Sequence, residues 1–145
     1  ENVNLHLGGY FHVMQKFTEI FINQGYGNII NIASIQGVAP PKFHHYEDTK
    51  MTSPIEYTAA KSAIIAISTY MAKYLAGRNI RVNCISPGGI YANQDEVFLK
   101  RYKASCTSKG ILDAEDIVGA LLFLISDQSR SINGQNIIVD DGWSL

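Results

Sequence analysis

Apolar positions recur along this chain in two registers, one returning every three to four residues and the other running β-branched without a break. Between Asn4 and Asn23, Leu5, Phe11, Met14, Phe17, Ile20 and Phe21 fall at helical intervals, and Gln24-Gly25-Tyr26-Gly27 supplies a stop. Gly8 and Gly9 mark a bend or close packing near the start of that helix. Asn28 to Ser34 is short, β-branched and bounded by glycine, the pattern of a strand covered on both faces, with Ser34 at its carboxyl end. A second helix is predicted from Ile55 to Ala76, stopped by Gly77, and a strand from Asn79 to Ser86, broken by Pro87-Gly88-Gly89. A polar helical excursion over Gln94 to Tyr102, a helix from the N-cap Asp113 to Ile125 and a strand from Gln135 to Val139 complete the reading.

Helix and strand alternate throughout, which predicts an α/β fold of parallel strands joined by right-handed crossovers. Gly37 to Pro54 interrupts the pattern with two prolines, two histidines and Thr-Ser-Pro, and reads as a loop long enough to be functional. In open sheets of this kind ligands bind at the carboxyl ends of the strands, where Ser34 falls.

Length and composition narrow the function. The 145 residues are 46% hydrophobic and 17% charged, which is one globular domain. Twelve basic and thirteen acidic residues give a net charge of −1 with both signs scattered, so no nucleic-acid partner is expected. Cys84 and Cys106 lie far apart without a CxxC, and the adjacent His44 and His45 do not make a facing ligand pair, so neither a disulfide framework nor a metal site is expected. His44 and His45 are instead expected in a solvated or substrate-contacting loop, and His6 and His12 at a surface or interface. Ile117 to Ile125 is half of a bilayer span and reads as a buried helix. No basic, apolar leader is visible, and a cytoplasmic protein is expected. The first residue is Glu1 and helical periodicity is already under way, so the chain is expected to be part of a longer protein.

The candidate chemistry begins with Tyr57 and Lys61, one helical turn apart at the head of the Ala59-Ala60 helix, with Ser34 upstream. A hydroxyl donor, a cation beside it and a second hydroxyl facing the same oxygen serve hydride-transfer chemistry at a cofactor. Tyr-x-x-x-Lys is weak evidence alone, because the eight tyrosines yield two matches, Tyr46 with Lys50 and Tyr57 with Lys61. Tyr46 falls in the irregular loop beside Glu47 and Asp48, whereas Tyr57 opens a helix.

With these residues in order, the whole chain resembles the short-chain dehydrogenase/reductase family. Asn4-Leu5 with Gly9 and Phe11 resembles its Asn-bearing helix, and Asn31-Ile32-Ala33-Ser34 its Ser strand. Tyr57 through Lys61 to Ile80-Arg81-Val82-Asn83 follows the family pattern without a gap, continued by Pro87-Gly88 and Gly134-Gln135. The resemblance implies the C-terminal part of a Rossmann-like, doubly wound parallel sheet, with three strands and three to four helices. It implies an NAD(P)-dependent oxidoreductase interconverting an alcohol and a carbonyl of a small molecule. Its catalytic residues would be Asn4, Ser34, Tyr57 and Lys61: Tyr57 as general acid or base, Lys61 making the phenol a better proton donor and holding the nicotinamide ribose, Ser34 bonding the substrate oxygen, and Asn4 holding a relay water. The cofactor, NAD or NADP, would meet Tyr57, Lys61, Pro87, Gly88, Ile90 and Asn93. The substrate would meet Ser34, Gln36, Tyr57 and Gly89. Related proteins pair through helices equivalent to Asn4–Asn23 and Ile55–Ala76, which implies a homodimer or homotetramer.

Two departures stand out. Ser34 and Tyr57 are 23 positions apart, so the loop between them carries an insertion of roughly ten residues relative to the family. Where the family has a Thr contacting the cofactor amide this chain has Ala92, and Asn93 is the expected substitute. The inserted segment and Gly89-Ile90 with Asn93-Gln94 resemble, more narrowly, the flagellin-modification protein A branch, which implies a sugar-like substrate in bacterial surface-polysaccharide or flagellin-glycan biosynthesis. The family's Thr-Gly-x-x-x-Gly-x-Gly turn is not found, so residues 1–145 are expected to be the catalytic half, without the dinucleotide-binding half. Two other readings remain: a silent module that assembles through its helices, and a nicotinamide-using epimerase or dehydratase.

Overall fold

The computed structural model describes residues 7–145. Three parallel strands, β1 (Gly27–Ile32), β2 (Ile80–Pro87) and β3 (Asn136–Val139), lie in the order β1-β2-β3. Among the described residues four α-helices connect and flank them: α1 (Gly9–Gln24), α2 (Ile55–Tyr74), α3 (Glu96–Ala104) and α4 (Val118–Ile125). The alternating order and parallel pairing are those expected for an α/β chain.

Local chemistry sets the ends of these elements. A π-type turn at Leu7 and Gly8 leads into α1, so the paired glycines mark a widened turn and not a break. Gly25 closes α1 in the left-handed region, φ 83°, with its N–H donating to Phe21 O. Asp95 caps α3 by accepting from Val97 N–H at 2.8 Å. The helix expected from Asp113 begins as a 3-10 turn (Ala114–Ile117) before α4.

β2 is the centre of the core. Val82, Asn83, Ile85 and Ser86 are fully buried, and Met14 from α1, Ala72 from α2 and Leu75 just beyond it pack with Val82 and Ile80. The polar Asn83 is tolerated there because its amide is satisfied on both sides, donating to Ile132 O at 2.9 Å and accepting Gln135 N–H at 3.0 Å. Arg81 donates to Ile132 O and Leu124 O, so Arg81-Val82-Asn83 ties β2 to the segment leading into β3. Ile64 on α2 is 2% exposed, and truncating such an isoleucine to alanine costs about 2–5 kcal/mol.

Three expectations about burial are not met. β1 is not covered on both faces: Ile29 and Ile30 are half-buried and Ile32 is exposed, because only β2 flanks this strand among the described residues. The apolar α4 buries Leu124 alone, and Leu122 and Ile125 face outward; a helix apolar all round has more apolar surface than one sheet face can cover. His45 is not solvated but 1% exposed, while His44 remains exposed.

Candidate active site

Ser34 reaches the site by overrunning β1. Ala33 N–H still donates to Ile85 O at 2.8 Å, and Ser34 then stays extended before the chain turns into a 3-10 helix, Ile35–Gly37. Its Oγ accepts Gln36 N–H at 3.2 Å, which caps that turn. Gly37 lets the turn lie on α2: a Cβ there would stand 2.8 Å from the carbonyl carbon of Lys61. The end of β1 is thereby brought against the first turns of α2.

Tyr57 and Lys61 occupy one face of α2. Lys61 Nζ lies 5.6 Å from the centroid of the Tyr57 ring and 5.5 Å from that of Tyr10. The ammonium donates to Ile32 O at 3.2 Å, at the end of β1. Burial holds Lys61 below the ordinary lysine value, against a smaller opposing influence from Cys84.

Across from them, β2 ends in Pro87-Gly88-Gly89. Gly88 N–H donates to Val139 O at 2.8 Å, and Gly89 N–H donates to Tyr102 Oη at 2.6 Å. Cβ atoms at Gly88 and Gly89 would each stand 3.0 Å from Tyr102 atoms, so the glycines permit this close approach. Burial raises the Tyr102 phenol well above its ordinary value, so it stays neutral and accepts from Gly89. Ile90 bridges to Leu112 through its neighbours, with Tyr91 N–H donating to Leu112 O and Leu112 N–H to Gly89 O. The N–H of Ile90 itself has no acceptor among the described residues, while its carbonyl takes Gln94 Nε2 at 2.7 Å.

These parts enclose a cavity of about 320 Å³. Ser34, Gln36, Tyr57 and Lys61 line one side, Pro87 to Ile90 the other, and Phe98, Tyr102 and Trp143 form an aromatic wall. Asn93 does not reach it: the residue is exposed in a left-handed turn, φ 56°, with its Oδ1 accepting from Tyr91. Asn4 lies outside the described residues. A wider groove along α1 and β1 is lined by Val13, Phe17, Phe21 and Ile30 and carries no comparable set of acid–base groups.

The competing Tyr-x-x-x-Lys pair is separated by its backbone. Tyr46 ends a 3-10 turn, Phe43–His45, and lines the cavity; Lys50 is exposed and does not. The sequence reading gave no site role to Tyr46, Phe98, Tyr102 or Trp143. The i,i+4 aromatic pair Phe98 and Tyr102, on a helix that also carries Glu96, Lys100, Arg101 and Lys103, is the one signal that pointed to the wall.

The family model described as enoyl-(acyl carrier protein) reductase matches residues 1–144. The chain is 51% identical over 145 residues to the post-translational flagellin modification protein A of Campylobacter coli, covering 100% of this chain and 57% of that protein. It is 33% identical to a 3-oxoacyl-(acyl-carrier-protein) reductase of Thermotoga maritima, covering 97% of this chain and 54% of that one. A short-chain dehydrogenase from Leptospira borgpetersenii, solved with bound NAD+, superposes with a TM-score of 0.92 at 36% identity, over 99% of this chain and 55% of that one. The chain thus spans about half the length of the curated relatives it matches. Sequence and fold agree that this chain belongs to the short-chain dehydrogenase/reductase family.

Proposed function

We propose that this chain supplies the acid–base side of a nicotinamide-dependent oxidoreductase that interconverts an alcohol and a carbonyl, working as the catalytic half of a longer domain. The observation that carries the reading is the convergence of Ser34, Tyr57 and Lys61 on one small cavity at the carboxyl ends of β1 and β2.

A nicotinamide cofactor fits the groups present. Among the described residues the Ile90 N–H at the cavity rim has no acceptor and is placed for a carboxamide oxygen, and Lys61, which uses one donor on Ile32 there, has two for ribose hydroxyls. NAD or NADP, when bound, supplies or accepts the hydride. In the reducing direction Tyr57 donates its phenolic proton to the carbonyl oxygen, and the Lys61 ammonium stabilises the charge left on the phenol oxygen. Ser34, held by the Ile35–Gly37 turn, donates to the same substrate oxygen as negative charge grows there. In oxidation the same groups work in reverse, with Tyr57 as base.

The relationship to the flagellin modification protein supports a sugar-like substrate in bacterial surface-glycan biosynthesis. Assembly as a homodimer or homotetramer is supported by the α1–α2 face, where Phe11, Ile22, Tyr70 and Tyr74 border a cleft and Tyr70 stacks on Tyr74. No described helix is long and apolar enough to cross a membrane.

The test is made on the full-length protein. Tyr57→Phe is expected to lower kcat by at least about a hundredfold while nicotinamide binding, read by fluorescence titration, is retained. Loss of hydride transfer in Tyr46→Phe, with Tyr57→Phe still active, would overturn the assignment.

A further inference from the structure

We infer that Tyr46 is a specificity-determining donor that binds a hydroxyl oxygen of the substrate at a distance from the reacting carbon; the inference rests on the oxidoreductase reading above and identifies its substrate class. Tyr46 shares the cavity wall with Ser34 and Tyr57 but among the described residues has no cation over its ring as Tyr57 has Lys61, so its place suits recognition and not proton transfer.

The direction of its hydrogen bonds follows from the Gln36 amide. Ser53 Oγ lies 2.6 Å from Gln36 Oε1, a separation typical of O–H to O, and Thr58 Oγ1 approaches the same oxygen at 3.5 Å. The amide nitrogen therefore faces Tyr46, and Nε2 donates to its Oη at 3.3 Å. Tyr46 is the acceptor in that contact. Its own hydroxyl hydrogen has no acceptor among the described residues and is available to the cavity.

The phenol is held for this task. Next to it, His45 is buried with Nε2 at 2.9 Å from Ser105 Oγ, and Thr49 N–H and Oγ1 both donate to Tyr46 O. Arg101 grips the following two residues through Glu47 O and Asp48. The Tyr46 ring packs 5.2 Å from that of Phe98. The loop between Ser34 and Tyr57 thus places an oriented donor in the wall. Among the described residues Lys61, already committed to the phenol and the ribose, is the one charged side chain lining the cavity, so no second cation is left to neutralise a carboxylate beside Tyr46 and an uncharged hydroxyl suits this donor.

The experiment uses the full-length protein with NADH or NADPH and three sets of probe carbonyls: neutral ketoses such as dihydroxyacetone and fructose, keto acids such as 5-ketogluconate, and unsubstituted ketones such as butanone. Tyr46→Phe keeps the ring and removes the donor; it is expected to raise KM for the ketoses about five- to tenfold, leave kcat within about twofold, and leave butanone unaffected. Gln36→Leu, which frees the phenol to rotate, is expected to shift KM in the same direction by less. Unchanged ketose KM in Tyr46→Phe, an equal loss on ketoses and butanone, or a loss confined to the keto acids would each overturn the inference. If the unaltered protein binds NADH yet reduces no probe, the oxidoreductase reading fails and this inference with it; if it reduces only butanone, this inference alone fails.

Discussion

Tyr10 and Lys61 donate to one and the same acceptor, the Ile32 carbonyl, at 2.8 Å and 3.2 Å. The last carbonyl of β1 is therefore the point at which α1 and α2 are tied to the strand, and the Lys61 ammonium rests over the Tyr10 ring.

Removing the Tyr10 hydroxyl tests that arrangement. Tyr10→Phe keeps the ring face but releases one donor from Ile32, and KM for the nicotinamide cofactor in the full-length protein is expected to rise about three- to tenfold. A KM equal to that of the unaltered protein would show that the carbonyl and ring alone position Lys61.

The Gly89 turn depends on a phenol in the same way. Tyr102→Phe leaves the Gly89 N–H without its partner, at a cost of about 1–3 kcal/mol read from denaturant midpoints. Cofactor affinity is expected to weaken as well, since Ile90 follows directly on that turn.

His45 makes stability depend on pH. Burial, reinforced by the nearby positive charges of His44, Lys42 and Arg101, lowers its imidazole from 6.5 to about 4. Between those values the unfolded chain binds a proton that the folded protein refuses, so stability is fully present above pH 6.5 and falls as pH drops toward 4. Urea midpoints measured across that window are expected to decline, and His45→Gln is expected to flatten the slope. An identical slope in the variant would exclude His45 as the source.

The open side of β1 predicts the behaviour of residues 1–145 expressed alone. Half-buried Ile29 and Ile30, exposed Ile32 and the apolar groove beside them present a strand edge able to pair with other chains. Size-exclusion chromatography is expected to show aggregates or an unstable species. A soluble monomer with a sharp cooperative melt would contradict this.

Much of the fold was legible in the chain because its signals are local. The β-branched run before Ser34, the helical spacing of Met14, Phe17 and Phe21, and the glycine stops each act over a few residues, and all three strands and the main helices follow from them. The pairing of Tyr57 with Lys61 was equally local, one turn of one helix. Element ends were less legible: β1 closes at Ile32 and not at Ser34, because only as far as Ile32 does the ladder to β2 continue as regular strand.

Sequence by itself determined the order of elements and the i,i+4 placement of the two acid–base groups, since backbone periodicity dictates both. Tertiary structure alone decided that Tyr46 faces the cavity while Lys50 does not, that His45 is buried, that Asn93 stays outside, and that Tyr102 receives Gly89. Each of these turns on which distant segments pack together. An irregular loop has no period from which such contacts can be read; its side-chain directions are set only when α3 and Trp143 close over it.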